Sequence, residues 1–209
     1  MSVNSENDLC NMALSHLGNF GTVSDIRQPS NDKEVTFALW YDISRQTFLK
    51  MTMPNFALKR RRVARVSEIP PFGDDLGYQY AYEYPSDCLK ALGLGEVALK
   101  EDNHAVEGGL IWTVAEYDDG APLRFIKDVT DVSKMSPEFK VGFSMFLAMN
   151  VAMEVTQDTV KARELLMMLP DRISLISGLN AQENRPIRIS HSRYREARIS
   201  GFASTPNKL

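Results

Sequence analysis

Cysteine, histidine and long apolar runs are all scarce in this 209-residue sequence. Its two cysteines, Cys10 and Cys88, lie far apart in the chain, and no histidine cluster accompanies them. Isolated thiols of this kind predict small core residues and not a disulfide or a metal site. The most apolar stretch, residues 141–153, is shorter than the roughly 20 residues that a helix needs to span a bilayer. Since the amino terminus also lacks a signal-peptide pattern, we expect a protein made in a reducing cytoplasm, without membrane contact.

Sequence signatures of the common enzyme classes are missing as well. No phosphate loop, zinc-protease helix motif or nucleophile elbow occurs. Gly93-Leu94-Gly95 supplies only part of a dinucleotide fingerprint and favours a bend or bulge in a strand. His16, His104 and His191 are predicted in a helix, a loop and the carboxyl-terminal region, and none has ligand spacing. We therefore expect no catalytic residue, no metal and no cofactor, and predict that the protein is not an enzyme.

Acidic clusters keep one enzymatic alternative open. Glycoside hydrolysis needs a pair of carboxyl groups, and Glu116, Asp118 and Asp119 are the best candidates, followed by Asp74 and Asp75. Both clusters lie in turn sequences, where Asp is common for backbone reasons alone. A glycan hydrolase acting on a host envelope is thus an alternative function and not the primary one.

Charge is unevenly distributed over a chain whose net charge is only −3. Two segments are strongly basic, and the rest of the chain is acidic. This pattern suits docking between complementary protein surfaces or a local contact with phosphates, whereas a whole-surface DNA binder is usually basic overall. A nucleic-acid-binding module is therefore a second alternative. The basic side chains are Lys59, Arg60, Arg61, Arg62 and Arg65 in one segment, and Arg185, Arg188, Arg193, Arg195 and Arg198 in the other.

Helical periodicity marks the amino-terminal part of the chain. A first helix begins at Ser5, which can cap it, and stops at Gly18. A second begins after Ser30 or Asn31 and ends near Pro54. Apolar residues occur on several sides of this second helix. The predicted apolar face is marked at successive turns and is widened by three aromatic residues. The turn positions are Val35, Ala38, Leu39, Asp42, Ile43, Gln46 and Leu49, and the aromatic residues are Trp40, Tyr41 and Phe48.

The helical pattern returns near the other end of the chain. Ser136 as cap and Pro137 at the first position begin a long, strongly apolar helix that should be buried between neighbours. A fourth helix is predicted over about 158–169, is interrupted at Pro170, and resumes over about 172–182.

Between the two helical parts the sequence predicts an antiparallel meander. Residues 78–84 alternate with period two, which places four tyrosines on one side of a strand. Such a row favours a half-buried strand over a platform for stacking bases or sugars. Further strands are predicted at residues 89–94, 105–106, 110–114 and 123–126.

The predicted fold is therefore α+β. A four-helix bundle is expected from residues 1–58 and 131–183, with an antiparallel β insertion at 59–130. Residues 184–209 carry five arginines, two prolines and little apolar periodicity, so we interpret them as an extended arm.

A series of short motifs follows a definite order along nearly the whole chain. None of them carries chemistry by itself. The motifs are Leu9-Cys10-Asn11-Met12-Ala13-Leu14-Ser15-His16-Leu17-Gly18, Ser24-Asp25-Ile26, Leu39-Trp40-Tyr41-Asp42 with Arg45, Pro54-Asn55-Phe56-Ala57, Tyr82-Glu83-Tyr84-Pro85-Ser86-Asp87-Cys88-Leu89, Ala181-Gln182-Glu183 and Ala197-Arg198.

In this order the motifs resemble the tail tubular protein A family of short-tailed bacteriophages, the head-to-tail adaptors that sit beneath the portal. The chain departs from the family in having Asn55 directly after Pro54, and in having Tyr194 where a tryptophan is common. The resemblance implies a virion protein of the head-tail junction that forms a dodecameric ring. Its helical bundle would face the portal protein, its sheet region would face the tail nozzle protein, and DNA would pass through the lumen.

Two sets of residues are candidates for these contacts. The resemblance implies that the carboxyl-terminal arm embraces the portal, and the basic segment near residue 60 is a weaker candidate for a subunit interface or for the lumen. The arm candidates are Arg185, Arg188, Arg193, Tyr194, Arg195 and Arg198, and the interface or lumen candidates are Lys59, Arg60, Arg61 and Arg62.

Overall fold

Four α-helices and two antiparallel β-sheets make up the computed structural model, which describes residues 3–18, 21–66, 77–94, 97–98, 104–157 and 159–183. The prediction of an α+β fold is confirmed. The helices are α1 (Glu6–His16), α2 (Asp32–Thr52), α3 (Pro137–Thr156) and α4 (Thr159–Glu183). The strands are β1 (Leu58–Val63), β2 (Arg65–Val66), β3 (Tyr80–Glu83), β4 (Cys88–Leu94), β5 (Val97–Ala98), β6 (His104–Glu107), β7 (Leu110–Thr113) and β8 (Ala121–Lys127).

The first three helices begin and end where local chemistry dictates. Ser5 caps α1 in a reciprocal capping box, Asn31 and not Ser30 caps α2, and Ser136 caps α3. α2 and α3 end at Met53 and Gln157, which adopt the left-handed conformation with φ of 44° and 54°. No helix in the described part of the chain is long and apolar enough to cross a membrane.

The prediction that Pro170 interrupts the fourth helix is wrong, because α4 continues through this residue to Glu183. A proline inside a helix removes one backbone hydrogen bond but need not end the helix when tertiary packing holds both halves. Leu165 and Leu169 before the proline and Ile176 after it are all buried in one core. Contacts on both sides therefore keep the two halves aligned.

Helix α3 contacts each of the other three helices. Its phenylalanines form an aromatic cluster with Phe48 of α2, whose ring centroid lies 5.1 Å from that of Phe139. Side chains of α2 and α4 both reach the backbone of α3 at Gly142. A Cβ atom there would lie 2.8 Å from Cδ1 of Ile176 and 3.0 Å from Cζ of Phe48. The absence of a side chain at this position thus lets α2 and α4 both pack against α3.

The buried face of α2 agrees with the predicted one only in part: Tyr41, Phe48 and Leu49 are buried as expected, but other predicted positions are not. Phe37 and Tyr41 are fully buried, whereas Val35, Leu39 and Ile43 are exposed. The first two lie on the side that contacts α3, and their larger aromatic surfaces gain more from burial than the smaller aliphatic groups on the opposite side. The apolar residues of α2 therefore lie on two sides of the helix. One side packs in the core against α3, and the other is exposed.

The strands form two sheets and not the single meander predicted from the sequence. Sheet 1 has the strand order β1-β8-β4-β5, and sheet 2 has the order β2-β3-β7-β6. The chain passes from sheet 1 to sheet 2 between Val63 and Arg65, and the two basic strands on either side of Ala64 were not predicted. Four consecutive cations show no apolar alternation, but charged residues suit an edge strand such as β1.

The two sheets enclose a second core, separate from the helical one. Tyr82, Ile111, Leu123 and Phe125 are fully buried there, and the Tyr82 hydroxyl accepts a hydrogen bond from the Tyr117 amide at 2.7 Å. The prediction of a half-buried tyrosine strand is confirmed, since the tyrosines at 80 and 84 are partly buried against the same core. The predicted irregularity near residues 93–95 is also present as a register shift in β4.

A buried arginine joins the helical part to the sheets. The guanidinium of Arg45, which is 2% exposed, forms an ion pair with Asp128 at the end of β8 and donates to the Val129 carbonyl at 2.9 Å. It also reaches Asp42 one turn away on α2 at 3.2 Å, while Gln46 donates to Asp128 at 3.0 Å. Burial alone would lower the pKa of Arg45, but these carboxylates raise it, so the group stays charged.

Candidate assembly surfaces

One exposed apolar surface lies on the side of α2 that faces away from α3. Val35, Leu39 and Ile43 are spaced four residues apart and therefore share one side of the helix. Their exposed fractions are 44%, 65% and 60%, which is unusual for side chains of this size and type. We call this surface the α2 face.

A second exposed apolar surface lies on the outer side of α4. Leu165 and Ile176 pack against α3 on the inner side of this helix. Helical periodicity places a different set of residues on the opposite side, together with two acidic residues, Glu164 and Asp171. We call this surface the α4 face, and its large apolar members are Val160, Met167, Met168 and Leu175, exposed to 62%, 71%, 50% and 48%.

These two faces are separate surfaces that both point away from the helix between them. The other exposed large apolar side chains in the described part of the chain are Leu166 beside Met167 on α4, Met51 and Met53 at the end of α2, Met153 on α3, and Val106 and Val114 in the sheet region. Contiguous apolar patches on a soluble protein mark sites where another protein docks. Covering one such side chain contributes about 1–2 kcal/mol. The helical part therefore carries two distinct candidate docking surfaces.

The basic strand β1 divides its cations between two sides of sheet 1. Lys59 and Arg61 lie on the side of the second core, where their side-chain nitrogens approach Asp87 at 3.4 and 3.7 Å. The guanidinium of Arg61 also lies 6.0 Å from the centre of the Phe125 ring. These two cations are therefore already paired within the chain.

Arg60 and Arg62 lie on the opposite side of the same strand. Arg60 stands directly across from Arg124 of β8 in the antiparallel register. Arg62 donates to the Asp119 carbonyl at 3.2 Å. Neither Arg60 nor Arg124 has a carboxylate partner among the residues that the structure describes. We call the surface formed by Arg60, Arg62 and Arg124 the arginine face.

The end of α4 is attached to the start of β1. Asn55, in the short 3-10 turn before β1, donates from its side-chain amide to the Asn180 carbonyl at 2.8 Å and to the Glu183 carboxylate at 2.9 Å. The last described residue of α4 thus lies beside the helix–sheet junction. The proposed arm contacts, Arg185, Arg188, Arg193, Tyr194, Arg195 and Arg198, lie outside the described residues.

The acidic residues considered for hydrolysis are not brought together as an isolated carboxylate pair. Glu116 forms an ion pair with Arg65, and Asp119 lies 4.0 Å from Arg62. Asp118 is partly exposed in the β7–β8 turn, while the two residues at 74 and 75 lie outside the described part of the chain. The carboxylates at this turn therefore pair with the basic strands beside them.

The described histidines and cysteines contact residues of the fold and form no cluster with one another. His16 lies within hydrogen-bond distance of the buried Ser144 hydroxyl at 3.0 Å, and burial, with a smaller contribution from Arg172, lowers its pKa. His104 lies in strand β6 and not in the predicted loop, because it pairs in register with β7. Both cysteines are buried, as predicted, and burial raises the pKa of each thiol. Within the described residues, no group of three His, Cys, Asp or Glu side chains could hold a metal ion.

Several residues of the sequence motifs hold the loop between α1 and α2. Asn11 bonds both the amide and the carbonyl of Val23, at 2.7 and 3.1 Å, as a neighbouring strand would. Asn7 does the same for the Ile26 amide and for the Ser24 carbonyl. These side chains replace backbone partners in a loop that has none.

Glu34 completes the attachment of this loop to α2. Its carboxylate accepts hydrogen bonds from the Ser30 amide at 2.8 Å, the Ser24 amide at 2.9 Å and the Ser30 hydroxyl at 2.9 Å. These donors lower the pKa of Glu34 to about 2. Asn11 and Ser24 of the motifs thus stabilise the fold together with Asn7 and Glu34, which lie outside the motifs.

Two of the three candidate surfaces were missed at the level of sequence. The α2 face was mistaken for core, and the outer side of α4 was hidden by the predicted break at Pro170. An available signal was the excess of apolar residues around α2, since a helix that is apolar on more than one side needs more than one neighbour. The sequence matches no protein-family model, and it matches no curated protein.

Proposed function

We propose that this protein is a head-to-tail adaptor of a short-tailed bacteriophage, which docks on the portal protein, closes a ring and supports the tail nozzle. The ordered motifs that resemble the tail tubular protein A family support this function. The protein would work as a structural subunit of the virion, and DNA would pass through the lumen of its ring.

The observation that carries the proposal is the pair of apolar faces on α2 and α4. A ring is built by heterologous contacts, in which one surface of a subunit meets a different surface of the next. A symmetric dimer needs only one self-complementary surface. Two distinct apolar surfaces on separate helices, both directed away from α3, are what a ring subunit requires.

The separation of the helices from the sheets supports different partners at the two ends of the ring axis. In the proposal the four helices act as one bundle that faces the portal, and the two sheets face the nozzle. Residues 184–209 would serve as an extended arm, and the hydrogen bond between Asn55 and Glu183 at the end of α4 supports a start of this arm near the helix–sheet junction. A dodecamer follows from the resemblance, because portal-docked adaptors of that family form twelve-membered rings.

The proposal is tested by mixing the full chain with the portal protein of the same phage and measuring the mass of the complex by size exclusion with light scattering. We expect a stable complex with the full chain and none with a chain truncated after Glu183. Within the full chain, Arg193→Glu combined with Arg195→Glu should weaken the complex while far-UV circular dichroism stays unchanged. Lys90→Glu combined with Lys134→Glu is the matched control, since both lysines are exposed and lie far from the arm in sequence.

Complex formation that survives both the truncation and the charge reversal would remove the arm from the proposal. The absence of any complex over a range of salt concentrations would overturn the adaptor function itself. In that case release of reducing sugar from host envelope glycans is the next measurement, with Glu116→Gln and Asp119→Asn as variants that should abolish it.

A further inference from the structure

The arginine face opposes two cations directly across a strand pair. Residues opposite each other in an antiparallel register have Cβ atoms about 4.5–5.5 Å apart, and like charges in this position destabilise the sheet. Arg60 and Arg124 occupy such a pair, and Arg62 follows two residues further along the same side of β1. An anion bound between these guanidinium groups would remove the repulsion.

The arginine face begins where the helical core stops covering sheet 1. On this side of the sheet, Leu58 and Ile126 form the preceding cross-strand pair and pack against the helical core. The next pair along the strands is Arg60 and Arg124, roughly 6.8 Å away. Arg60 and Arg62 are exposed and Arg124 is half-buried, so a large partner can reach this pair of strands from the side of β1.

The composition of the arginine face favours nucleic acid over an acidic protein surface. Protein interfaces need apolar or aromatic anchors at their centre. None of the exposed large apolar side chains in the described residues lies on β1, β4 or β8. Interfaces with nucleic acid are more polar and far more positively charged, and guanidinium groups bond phosphate oxygens in pairs.

A second basic segment starts at the same corner of the molecule. The contacts of Asn55 with Asn180 and Glu183 hold the end of α4 beside Asn55. Asn55 itself lies three residues before the start of β1 in the sequence. The sequence that follows Glu183 contains five arginines within residues 185–198. If these arginines stay near the end of α4, they would add to the positive charge of the arginine face and strengthen attraction for a polyanion.

We propose that the arginine face binds the sugar-phosphate backbone of DNA without reading its sequence. Arg60 and Arg124 would share a phosphate and so neutralise each other's repulsion, while Arg62 would contact the next phosphate along the strand. The inference deepens the proposed adaptor function, on which it rests for the source of the DNA, but binding itself needs only the single folded chain.

The test uses the full chain and a fluorescein-labelled mixed-sequence duplex of about 20 base pairs, with fluorescence anisotropy measured over a series of NaCl concentrations. Arg60→Gln combined with Arg124→Gln should weaken binding about tenfold at low salt and reduce the slope of log K against log salt by about 2. The matched control, Lys50→Gln combined with Lys134→Gln, removes the same charge from other exposed positions and should leave the slope unchanged. The arm is identical in all three proteins, so the difference reports the arginine face alone.

An unchanged slope in the arginine variant, or an equal loss in the lysine control, would overturn the proposal. Displacement of the duplex by polyglutamate at an equal concentration of charge would also overturn it, since an acidic protein would then be the better partner. The same arginine variant should still form a complex with the portal protein. Loss of DNA binding with an intact portal complex would support the DNA contact. If the adaptor function were wrong, no protein in the series would form the portal complex, so the two failures can be told apart.

Discussion

In the helical part of the molecule the notable exposed side chains are apolar and stand on α2 and α4, whereas on the outer side of sheet 1 they are arginines. The two parts also differ in how their charges are satisfied. Arg45 is buried and paired within the helical region, while Arg60 and Arg124 face each other without a carboxylate partner among the described residues.

This difference indicates two kinds of partner within one subunit. Apolar faces contribute to affinity by removing surface from water and respond weakly to salt, while contacts between arginine and phosphate release counterions and respond steeply to it. Salt should therefore separate the two activities. Raising the NaCl concentration should dissociate DNA from the chain well before it disturbs contacts between the helical faces.

The largest effect on assembly is expected when each helical face is blocked separately. Leu39→Asp on the α2 face and Met167→Asp on the α4 face should each abolish ring closure, because a buried unpaired carboxylate costs more than the apolar contact contributes. Mass measured by light scattering in the presence of the portal protein reports the loss. Val106→Asp is the matched control, since this exposed valine lies on neither face.

Mixing the two blocked proteins identifies the type of contact. If the α2 face of one subunit meets the α4 face of the next, the mixture contains one productive pairing and stops at a heterodimer. A dimer formed by either blocked protein alone would instead show that a face pairs with its own copy, which contradicts the ring.

The next largest effect is expected at the junction between the two parts. Arg45→Ala leaves Asp128 without its main partner in a largely buried position, so we expect the free energy of unfolding to fall by about 3 kcal/mol in urea denaturation. Arg27→Ala is the control, because its ion pairs are about half exposed and should contribute about 0–1 kcal/mol.

The two tryptophans show whether this junction couples the parts. Trp40 lies in α2 and Trp112 in β7. In Trp40→Phe the fluorescence follows the sheets, and in Trp112→Phe it follows the helices. We expect the two transitions to coincide with Arg45 present and to separate with Arg45→Ala. Coincident transitions in the Arg45→Ala background would show that other contacts couple the parts.

The smallest expected effect has the opposite sign. Arg60→Thr removes one member of the like-charged pair and should raise the free energy of unfolding by about 0.2–1 kcal/mol at low ionic strength. The gain should shrink as salt screens the repulsion. Arg62→Thr makes the same exchange on the same side of the same strand, so it controls for the strand propensity of threonine. Equal stabilisation by both substitutions would show that propensity and not charge is responsible.

Local signals in the sequence were enough to predict most elements. Ser5, Ser136 and Pro137 mark helix starts through short-range capping, and the alternating tyrosines mark β3, because both signals depend only on neighbours in the chain. The division into two sheets was not predictable in this way. Strand order depends on pairings between distant segments, such as β1 with β8. The periodicity within one strand carries no information about these pairings.

The candidate surfaces show the same limit. Arg60 and Arg62 were recognised as basic, but Arg124 was not grouped with them, because only the register of β1 against β8 brings it opposite Arg60. Similarly, Leu39 and Phe37 are both apolar residues of one helix, and the position of α3 decides which of them is buried. The sequence shows which side chains are apolar or charged. The tertiary contacts decide which of these side chains are exposed to a partner.

The attachment of Asn55 to the last turn of α4 has a mechanical consequence. A pull on the chain beyond Glu183 acts first on the hydrogen bonds to Asn55, and from there on the start of β1 three residues later. Tension at Glu183 therefore has a short route into sheet 1 through Asn55, in addition to the covalent route along α4. In an adaptor held at one end by its portal and loaded at the other by its tail, this short route would let strain at the upper contact tilt the lower sheets.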